Sequence, residues 1–196
     1  MDERTRRVRS RWDRMSARYD KGEGTQRLVI GDTRARLCAM ARGRVLEVAV
    51  GTGHNLPYYP DDVEVTGVDL SHGMLEQARV RASELGRRVD LREGDAQELP
   101  FGDEEFDTVV CALALCTIPD QYRALAQMHR VLRPGGLLLL VDHVEYTRWP
   151  FRLFETRKEL PRRLPRNVAV DAGFTVDQHD RIALGFVERV VAHRSG

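Results

Sequence analysis

Short apolar runs alternate with helical stretches along most of this 196-residue chain, and this alternation restricts the fold more than any other feature. Five segments have the pattern of strands: residues 44–50, 63–69, 89–95, 106–116 and 136–144. The run 106–116 is almost wholly apolar, which is typical of a parallel strand covered by helices on both faces. Strands and helices in this order predict βαβ units with right-handed crossovers. The predicted fold is therefore α/β, with a doubly wound and mostly parallel sheet.

The two ends of the chain depart from this rhythm. Runs 174–180 and 186–193, joined by a short turn, predict a C-terminal antiparallel hairpin at the sheet edge. At the other end, four apolar residues at helical spacing predict a helix that packs on the domain, namely Val8, Trp12, Met15 and Tyr19. We expect a helical lid over residues 1–40, a core over 41–145, a short loop or lid over 146–166 and the hairpin over 167–196.

Composition excludes several classes of protein. The 31 basic and 30 acidic residues nearly cancel, which argues against a nucleic-acid binder. Cys38, Cys111 and Cys116 form no CxxC pair and suit reduced thiols in a cytosol. The longest apolar run, 137–141, is too short to span a membrane, and the N-terminus lacks the apolar core of a signal peptide. We expect a soluble, cytoplasmic protein, and the sequence spacing of His, Cys and Asp predicts no metal site.

Three motifs follow predicted strands, where ligands of parallel sheets bind. The glycines of Gly51-Thr-Gly53 would let a ligand approach the backbone, although Leu56 breaks the dinucleotide fingerprint that a nicotinamide-dependent dehydrogenase would carry. Asp69 could accept the hydroxyl protons of a ribose or cap the helix that begins near Ser71. The turn at 94–96 could accept a hydrogen bond from an exocyclic amine or be a tight polar turn.

The order and placement of these motifs resemble those of the class I S-adenosylmethionine-dependent methyltransferases, over residues 12–145 and the terminal hairpin. The resemblance implies a Rossmann-like fold and S-adenosylmethionine as the cofactor. Ala49 stands where that family usually has glycine. The cofactor-binding residues implied by the resemblance are Tyr19, Glu47, Ala49, Gly51, Gly53, Asn55, Asp69, Leu70, Met74, Asp95, Ala96 and Cys111.

Each part of the cofactor has an implied position. The segment 47–53 would lie against the methionine part, and Tyr19 would reach its carboxylate. Asp69 would bind the ribose. The adenine would contact four residues, namely Leu70, Met74, Asp95 and Ala96. Cys111 is interpreted as a core residue or a backbone contact to the cofactor.

Segments 51–60, 110–116 and 141–144 resemble a subgroup of quinone C-methyltransferases, phospholipid N-methyltransferases and thiol methyltransferases. This implies methyl transfer to a small-molecule acceptor by in-line displacement. The Asn-Pro-Pro-Tyr type of motif used on nucleic-acid amines is missing. His143 is the predicted general base, because histidine changes charge near neutral pH, and Asp142 would orient it. A histidine packed under the following loop is the alternative.

Other interpretations remain open. Five aromatic residues could border an apolar acceptor or be packing residues, namely Trp12, Tyr19, Trp149, Phe151 and Phe154. The arginine-rich first helix would suit a phospholipid N-methyltransferase at a membrane surface. The predicted lid at 146–166 is short, so a homodimer could complete the acceptor site, or the protein could be a non-catalytic S-adenosylmethionine-binding scaffold.

Overall fold

A computed structural model of the chain describes residues 1–22, 30–144 and 163–196. Within these ranges one seven-stranded sheet has the strand order β3-β2-β1-β4-β5-β7-β6. The strands are β1 Arg44–Val48, β2 Glu64–Asp69, β3 Val89–Glu93, β4 Phe106–Ala112, β5 Leu132–His143, β6 Phe174–Ile182 and β7 Val187–Arg194. The helices are α1 Glu3–Tyr19, α2 Thr33–Cys38, α3 His72–Glu84, α4 Gln121–Val131 and α5 Pro165–Asp171.

Strands β1 to β5 are parallel, and β7 lies antiparallel between β5 and β6. The predicted α/β, Rossmann-like, doubly wound sheet with its C-terminal antiparallel hairpin is confirmed. None of the helices in the described ranges is long and apolar enough to cross a membrane.

The central strands are buried on both faces. Val109 and Leu140 pack in one apolar cluster, whereas their neighbours Val110 and Leu139 pack in a second cluster, and all four are 0% exposed. Consecutive side chains of a strand point to opposite faces, so each cluster occupies one side of the sheet. Burying one such side chain contributes about 1.5–3 kcal/mol, which explains why 106–112 carries an apolar run instead of an alternating pattern.

Helix α3 follows its sequence signals closely. The Ser71 hydroxyl accepts a hydrogen bond from the Met74 backbone N–H at 3.2 Å, which caps the first turn. The helix ends at Glu84, two residues before Gly86, whose φ is +63°. Both ends of α3 therefore follow local sequence signals, a serine before the first turn and a glycine after the last.

Two central strands end earlier than the apolar runs predict. Strand β1 stops at Val48 because Ala49 has a φ of +56°, and β4 stops at Ala112 because Leu113 has a φ of +57°. A non-glycine residue in this left-handed region ends strand pairing and carries steric strain. Both strained residues lie at the carboxyl edge of the sheet, at the point where the strand order reverses.

The segment Arg133-Pro-Gly-Gly136 is not the simple stop that its residues predict. Strand β5 already begins at Leu132, which pairs with Phe106, and regular pairing resumes at Leu137 after a register shift. Gly135, with a φ of +73°, lies inside this irregular stretch. The turn residues therefore form an irregularity within a strand.

Helix α1 packs on α3 mainly through polar groups. Its buried residues are Thr5 and Ser16, whereas Met15 is 40% exposed, so the predicted apolar stripe is wrong at that position. The Asp13 carboxylate accepts hydrogen bonds from the Ser71 hydroxyl at 2.6 Å and the Gly73 backbone N–H at 3.2 Å. Hydrogen bonds to the amino end of α3 therefore hold α1 in place.

Helix α4 follows the turn after β4. It begins at Gln121 behind an Asp120 cap, and its Tyr122 is 40% exposed. The predicted loop at 146–166 lies almost wholly outside the described residues, as do Trp149, Phe151 and Phe154. Helix α5 precedes the hairpin and was not predicted as a separate element.

Candidate functional site

Two adjoining cavities open along the carboxyl ends of β1, β2 and β4, and α1 contributes to the walls of both. The first cavity is lined by Tyr19, Arg34, Glu47, Gly51, Met74 and Leu113, among others. The second is lined by Val8, Leu70, Asp95, Ala96, Gln97 and Ile118, among others. Trp12, Ala49, Asp69 and Thr117 line both cavities. We refer to the two adjoining cavities together as the elongated site; Asp69 is one of the residues that line both halves.

Asp69 ends β2 and binds the two segments that follow β1 and β2. Its carboxylate accepts hydrogen bonds from the Gly51 backbone N–H at 2.9 Å and the Ser71 backbone N–H at 2.8 Å. The side chain is 9% exposed. Burial raises the pKa of Asp69 to about 6, and the hydrogen bonds from Ser71 and Gly51 oppose that rise. The cap of α3 is the Ser71 hydroxyl, so Asp69 instead fixes the glycine loop against the helix start.

Glu47 is a buried carboxylate in the wall of the first cavity. Its two oxygens accept hydrogen bonds from the Asn55 side-chain amide at 2.8 Å and the Tyr59 hydroxyl at 2.9 Å. Arg34 in turn donates to the Asn55 side-chain oxygen at 2.7 Å. Burial raises the pKa of Glu47 to about 7, against the lowering effect of the hydrogen bonds. A cation bound in the first cavity would therefore favour the ionised form of Glu47.

The two glycines of the loop after β1 have different reasons to be glycine. A Cβ on Gly51, whose φ is +57°, would meet no atom within 4 Å, so the backbone there faces open space. A Cβ on Gly53, whose φ is +80°, would also lie 2.8 Å from Leu56 Cδ1, so packing adds to the backbone conformation in favouring glycine there. Gly51 lines the first cavity, whereas Gly53 lines neither cavity. Close approach of a ligand to the backbone is available at Gly51.

The end of α1 is fastened beside this loop. Asp20 accepts hydrogen bonds from the Thr52 hydroxyl and from Arg81, each at 2.7 Å. His54 is 7% exposed, with its Nε2 3.1 Å from the Asp20 carboxylate and its Nδ1 in contact with Arg81. The Tyr19 ring lies between Trp12 and His54, at centroid distances of 5.8 and 6.0 Å. These contacts hold Tyr19 at the first cavity.

Gln97 organises the second cavity. Asp95 accepts hydrogen bonds from both the backbone and the side-chain nitrogen of Gln97 at 2.9 Å. The Gln97 side chain also donates to the Thr5 hydroxyl at 3.2 Å and accepts from the Asp120 backbone N–H at 3.1 Å. This one buried amide therefore links the turn after β3 to α1 and to the start of α4.

Most predicted cofactor residues line the elongated site. Met74 faces the first cavity and Leu70 the second, so the two residues expected to flank one ring are divided between the halves. Cys111 lines neither cavity; it is 0% exposed, and burial raises the pKa of its thiol well above the ordinary value. Arg34, Leu113 and Thr117 also line the site, but they carry no motif and reach it only through the fold, so the sequence did not predict them.

His143 and Asp142 end β5, and the structure brings Cys116 to them. The Asp142 carboxylate accepts hydrogen bonds from the Cys116 backbone N–H at 2.8 Å and the His143 backbone N–H at 2.6 Å. His143 Nδ1 lies 3.3 Å from Asp142 Oδ1 and 3.9 Å from Cys116 Sγ. Neither His143 nor Asp142 lines the two cavities. The predicted contact between the two residues is present, beside the site.

Comparisons with known proteins agree on one family. A family model described as a methyltransferase domain matches residues 46–140. A phosphatidylethanolamine N-methyltransferase from Cereibacter sphaeroides is 45% identical over 115 residues, which cover 58% of this chain and 57% of that protein. A demethylmenaquinone methyltransferase from Renibacterium salmoninarum is 36% identical over 173 residues, which cover 84% of this chain and 70% of that protein.

A solved structure supports the fold independently. One chain of the complex between the Haloferax volcanii Trm112 methyltransferase activator and a methyltransferase superposes with a TM-score of 0.79. The match covers 96% of this chain and 98% of that chain at 19% identity. At this sequence identity the comparison supports the fold and nothing further.

Proposed function

Because the chain belongs to the class I S-adenosylmethionine-dependent methyltransferases, we propose that it transfers a methyl group to a small-molecule acceptor by in-line displacement. The observation that carries this proposal is the pair of adjoining cavities with Asp69 between them. A nucleoside joined to an amino acid is an elongated ligand with a polar middle, which agrees with two adjoining cavities that share Asp69 in their walls.

The residues present fit this cofactor. We propose that the first cavity holds the methionine part, with Glu47 facing its positive groups and Arg34 and Tyr19 facing its carboxylate. Open space at Gly51 supports close contact with the backbone. In the second cavity, Leu70, Ala96 and Ile118 offer apolar contact to the adenine, and Asp95 an acceptor. Asp69 would bind the ribose between them.

S-adenosylmethionine supplies a methyl group on a sulfonium, which is already an activated electrophile. The main task of the protein is therefore to hold the acceptor in line, which can contribute about 7–11 kcal/mol. Buried Glu47 and Asp69, when ionised, would offset the positive charge in a site that α1 covers. For an acceptor that must lose a proton, we propose that His143 accepts it while Asp142 orients the ring.

The relatives indicate two acceptor classes to test. The demethylmenaquinone methyltransferase suggests an aromatic quinone precursor, whereas the phosphatidylethanolamine N-methyltransferase suggests a phospholipid amine. A specific observation favours the phospholipid as second candidate, because Arg6, Arg7, Arg11, Arg14 and Arg18 of α1 are exposed. Such a face would be attracted to an anionic membrane surface.

The first experiment is calorimetric titration of the full chain with S-adenosylmethionine and S-adenosylhomocysteine. We expect micromolar binding. Methyl-labelled cofactor is then offered with a demethylated quinone analogue or with phosphatidylethanolamine vesicles. Transfer to one acceptor assigns its class, whereas binding without transfer to any acceptor would support a non-catalytic scaffold. A folded protein that binds neither compound would contradict the proposal.

A further inference from the structure

A thiol, an imidazole and a carboxylate converge beside the elongated site. Cys116 lies in the short turn Leu115–Thr117 that follows β4, and Asp142 and His143 end the neighbouring strand β5. One ligand atom from each residue lies within 4.8 Å of the other two. Cys116 and His143 are partly exposed, whereas Asp142 is 1% exposed. The cluster is therefore reachable from solvent on one side and anchored by a buried carboxylate on the other.

The geometry differs from that of a proton relay. In a relay the thiol and the carboxylate contact opposite nitrogens of the histidine ring. Here Cys116 Sγ and Asp142 Oδ1 both lie near the same nitrogen, His143 Nδ1, at 3.9 and 3.3 Å. A thiol, a carboxylate oxygen and an imidazole nitrogen gathered within 4.8 Å of one another can instead bind one metal ion.

Two of the three ligand–ligand distances agree with those of a tetrahedral ion. With Zn–N and Zn–O bonds near 2.1 Å, two such ligands lie about 3.4 Å apart, and a sulfur with a 2.3 Å bond lies about 3.6 Å from a nitrogen. The observed distances of 3.3 Å and 3.9 Å are each within a few tenths of an ångström of these values. Small side-chain adjustments would close the site around the ion.

Charge and ligand chemistry favour zinc over other common ions. A thiolate and a carboxylate together neutralise a divalent cation, and sulfur with imidazole nitrogen is a typical zinc donor set. Magnesium and calcium prefer oxygen ligands alone. Within the described ranges no arginine or lysine forms an ion pair with Asp142, so its buried charge would gain from a cation.

We propose that Cys116, Asp142 and His143 bind one Zn²⁺ ion, with a fourth coordination position open to water or to an acceptor atom. This site goes beyond methyl transfer and does not depend on it. An ion on Nδ1 leaves the remaining ring proton of His143 on Nε2, so a zinc-bound His143 cannot act as the general base. The base role proposed above for His143 therefore applies only to the protein without zinc, and zinc binding would switch it off.

The test uses the full chain freed of metal with a chelator. Zinc affinity is measured by competition with a chromophoric chelator, and Co²⁺ is used as a spectroscopic probe. We expect one ion per chain, a tetrahedral Co²⁺ spectrum and a thiolate-to-cobalt charge-transfer band. Cys116→Ser and His143→Gln should each lower the affinity at least about 100-fold, because loss of a direct ligand should exceed the effect of outer-shell changes.

Matched variants separate this site from adventitious binding. His72→Gln removes an exposed histidine near Glu76 and Glu93 and should leave zinc affinity unchanged. Cys38→Ala removes a buried thiol and should leave the charge-transfer band unchanged. If Cys116→Ser fails to fold, protection of Cys116 from alkylation by Zn²⁺ in the unmodified chain is measured by mass spectrometry. Absence of the thiolate band, absence of protection, or equal affinity in the Cys116→Ser variant would overturn the proposal.

Discussion

A Cβ atom on Gly73 would lie 2.6 Å from the Ser16 hydroxyl oxygen, because α1 crosses α3 at closest approach there. The same Cβ would lie 3.4 Å from the Asp13 carbonyl oxygen. Gly73 is thus what permits α1 to reach the amino end of α3, where Asp13 accepts hydrogen bonds from Ser71 and Gly73. Since α1 also carries Trp12 and Tyr19 to the cavities, this contact bears on ligand binding.

The first prediction concerns this crossing. Alanine normally stabilises an exposed helix by about 1 kcal/mol relative to glycine, but Gly73→Ala should destabilise this protein by about 1–3 kcal/mol through overpacking. It should also weaken S-adenosylmethionine binding. Denaturant unfolding and calorimetry measure the two effects. Ser16→Ala removes the clashing hydroxyl, so the double variant should recover part of both losses. A Gly73→Ala protein more stable than the parent would refute this account.

The second prediction concerns Asp69. Asp69→Ala leaves the Gly51 and Ser71 backbone N–H groups without their acceptor, which should cost about 1–3 kcal/mol of stability. If Asp69 also binds the ribose, the affinity for S-adenosylmethionine should fall at least about tenfold, the equivalent of 1.4 kcal/mol. Asp90→Ala, on an exposed side chain of β3, is the control and should change neither quantity. Unchanged cofactor affinity in folded Asp69→Ala would exclude the ribose role.

The sheet could be predicted from the sequence because its strands are short runs of residues that must be buried. The glycine turn at 51–53 and the helix cap at Ser71 are likewise local signals. The face of α1 was predicted less well at Met15, since this helix buries Thr5 and Ser16 through hydrogen bonds instead of an apolar stripe. Periodicity of apolar residues cannot report a polar interface.

The parts of the site that were missed depend on long-range contacts. Arg34 reaches the cavity through Asn55, and His54 is buried because Asp20 and Arg81 come to it from distant parts of the chain. The spacing of His, Cys and Asp along the sequence predicts no metal site. The pairing of β4 with β5 nevertheless brings Cys116 to Asp142 and His143. Such contacts arise from the order of strands and not from any local pattern.

The third prediction concerns the buried Glu47. The pKa of Glu47 is about 7 in the folded state, above the ordinary 4.5. The protonated carboxyl therefore stabilises the folded state fully below about pH 4.5, and this part of the free energy of unfolding is lost as the pH rises through 7. Glu47→Gln does not titrate. The stability of that variant relative to the parent should therefore increase between pH 4.5 and 7.5, by on the order of 3 kcal/mol. Denaturant unfolding across this range measures it, with exposed Glu64→Gln as background. A difference that does not vary with pH would contradict the raised pKa.

The fourth prediction concerns strain at Ala49. Its φ of +56° costs free energy for alanine but not for glycine. Glycine also raises the entropy of the unfolded chain, which offsets part of this gain, so Ala49→Gly should stabilise the protein by about 0.5–1 kcal/mol. Ala112→Gly is the matched control, because Ala112 is also half-buried beside the first cavity but has no positive φ. That control should be destabilised. Thermal or denaturant unfolding distinguishes the two, and a destabilised Ala49→Gly would show that the left-handed backbone is not strained.

The link from Gln97 to Thr5 joins residues 92 positions apart, and it holds two walls of the second cavity together. The pairing of β1 with β4 likewise brings together the two strand ends beside the first cavity. Contacts of such large sequence separation form slowly, because loop-closure entropy must be overcome before they contribute. We therefore expect the cavities to be completed late in folding, so that fluorescence or heat from cofactor binding during refolding would report the last step of assembly rather than the first collapse.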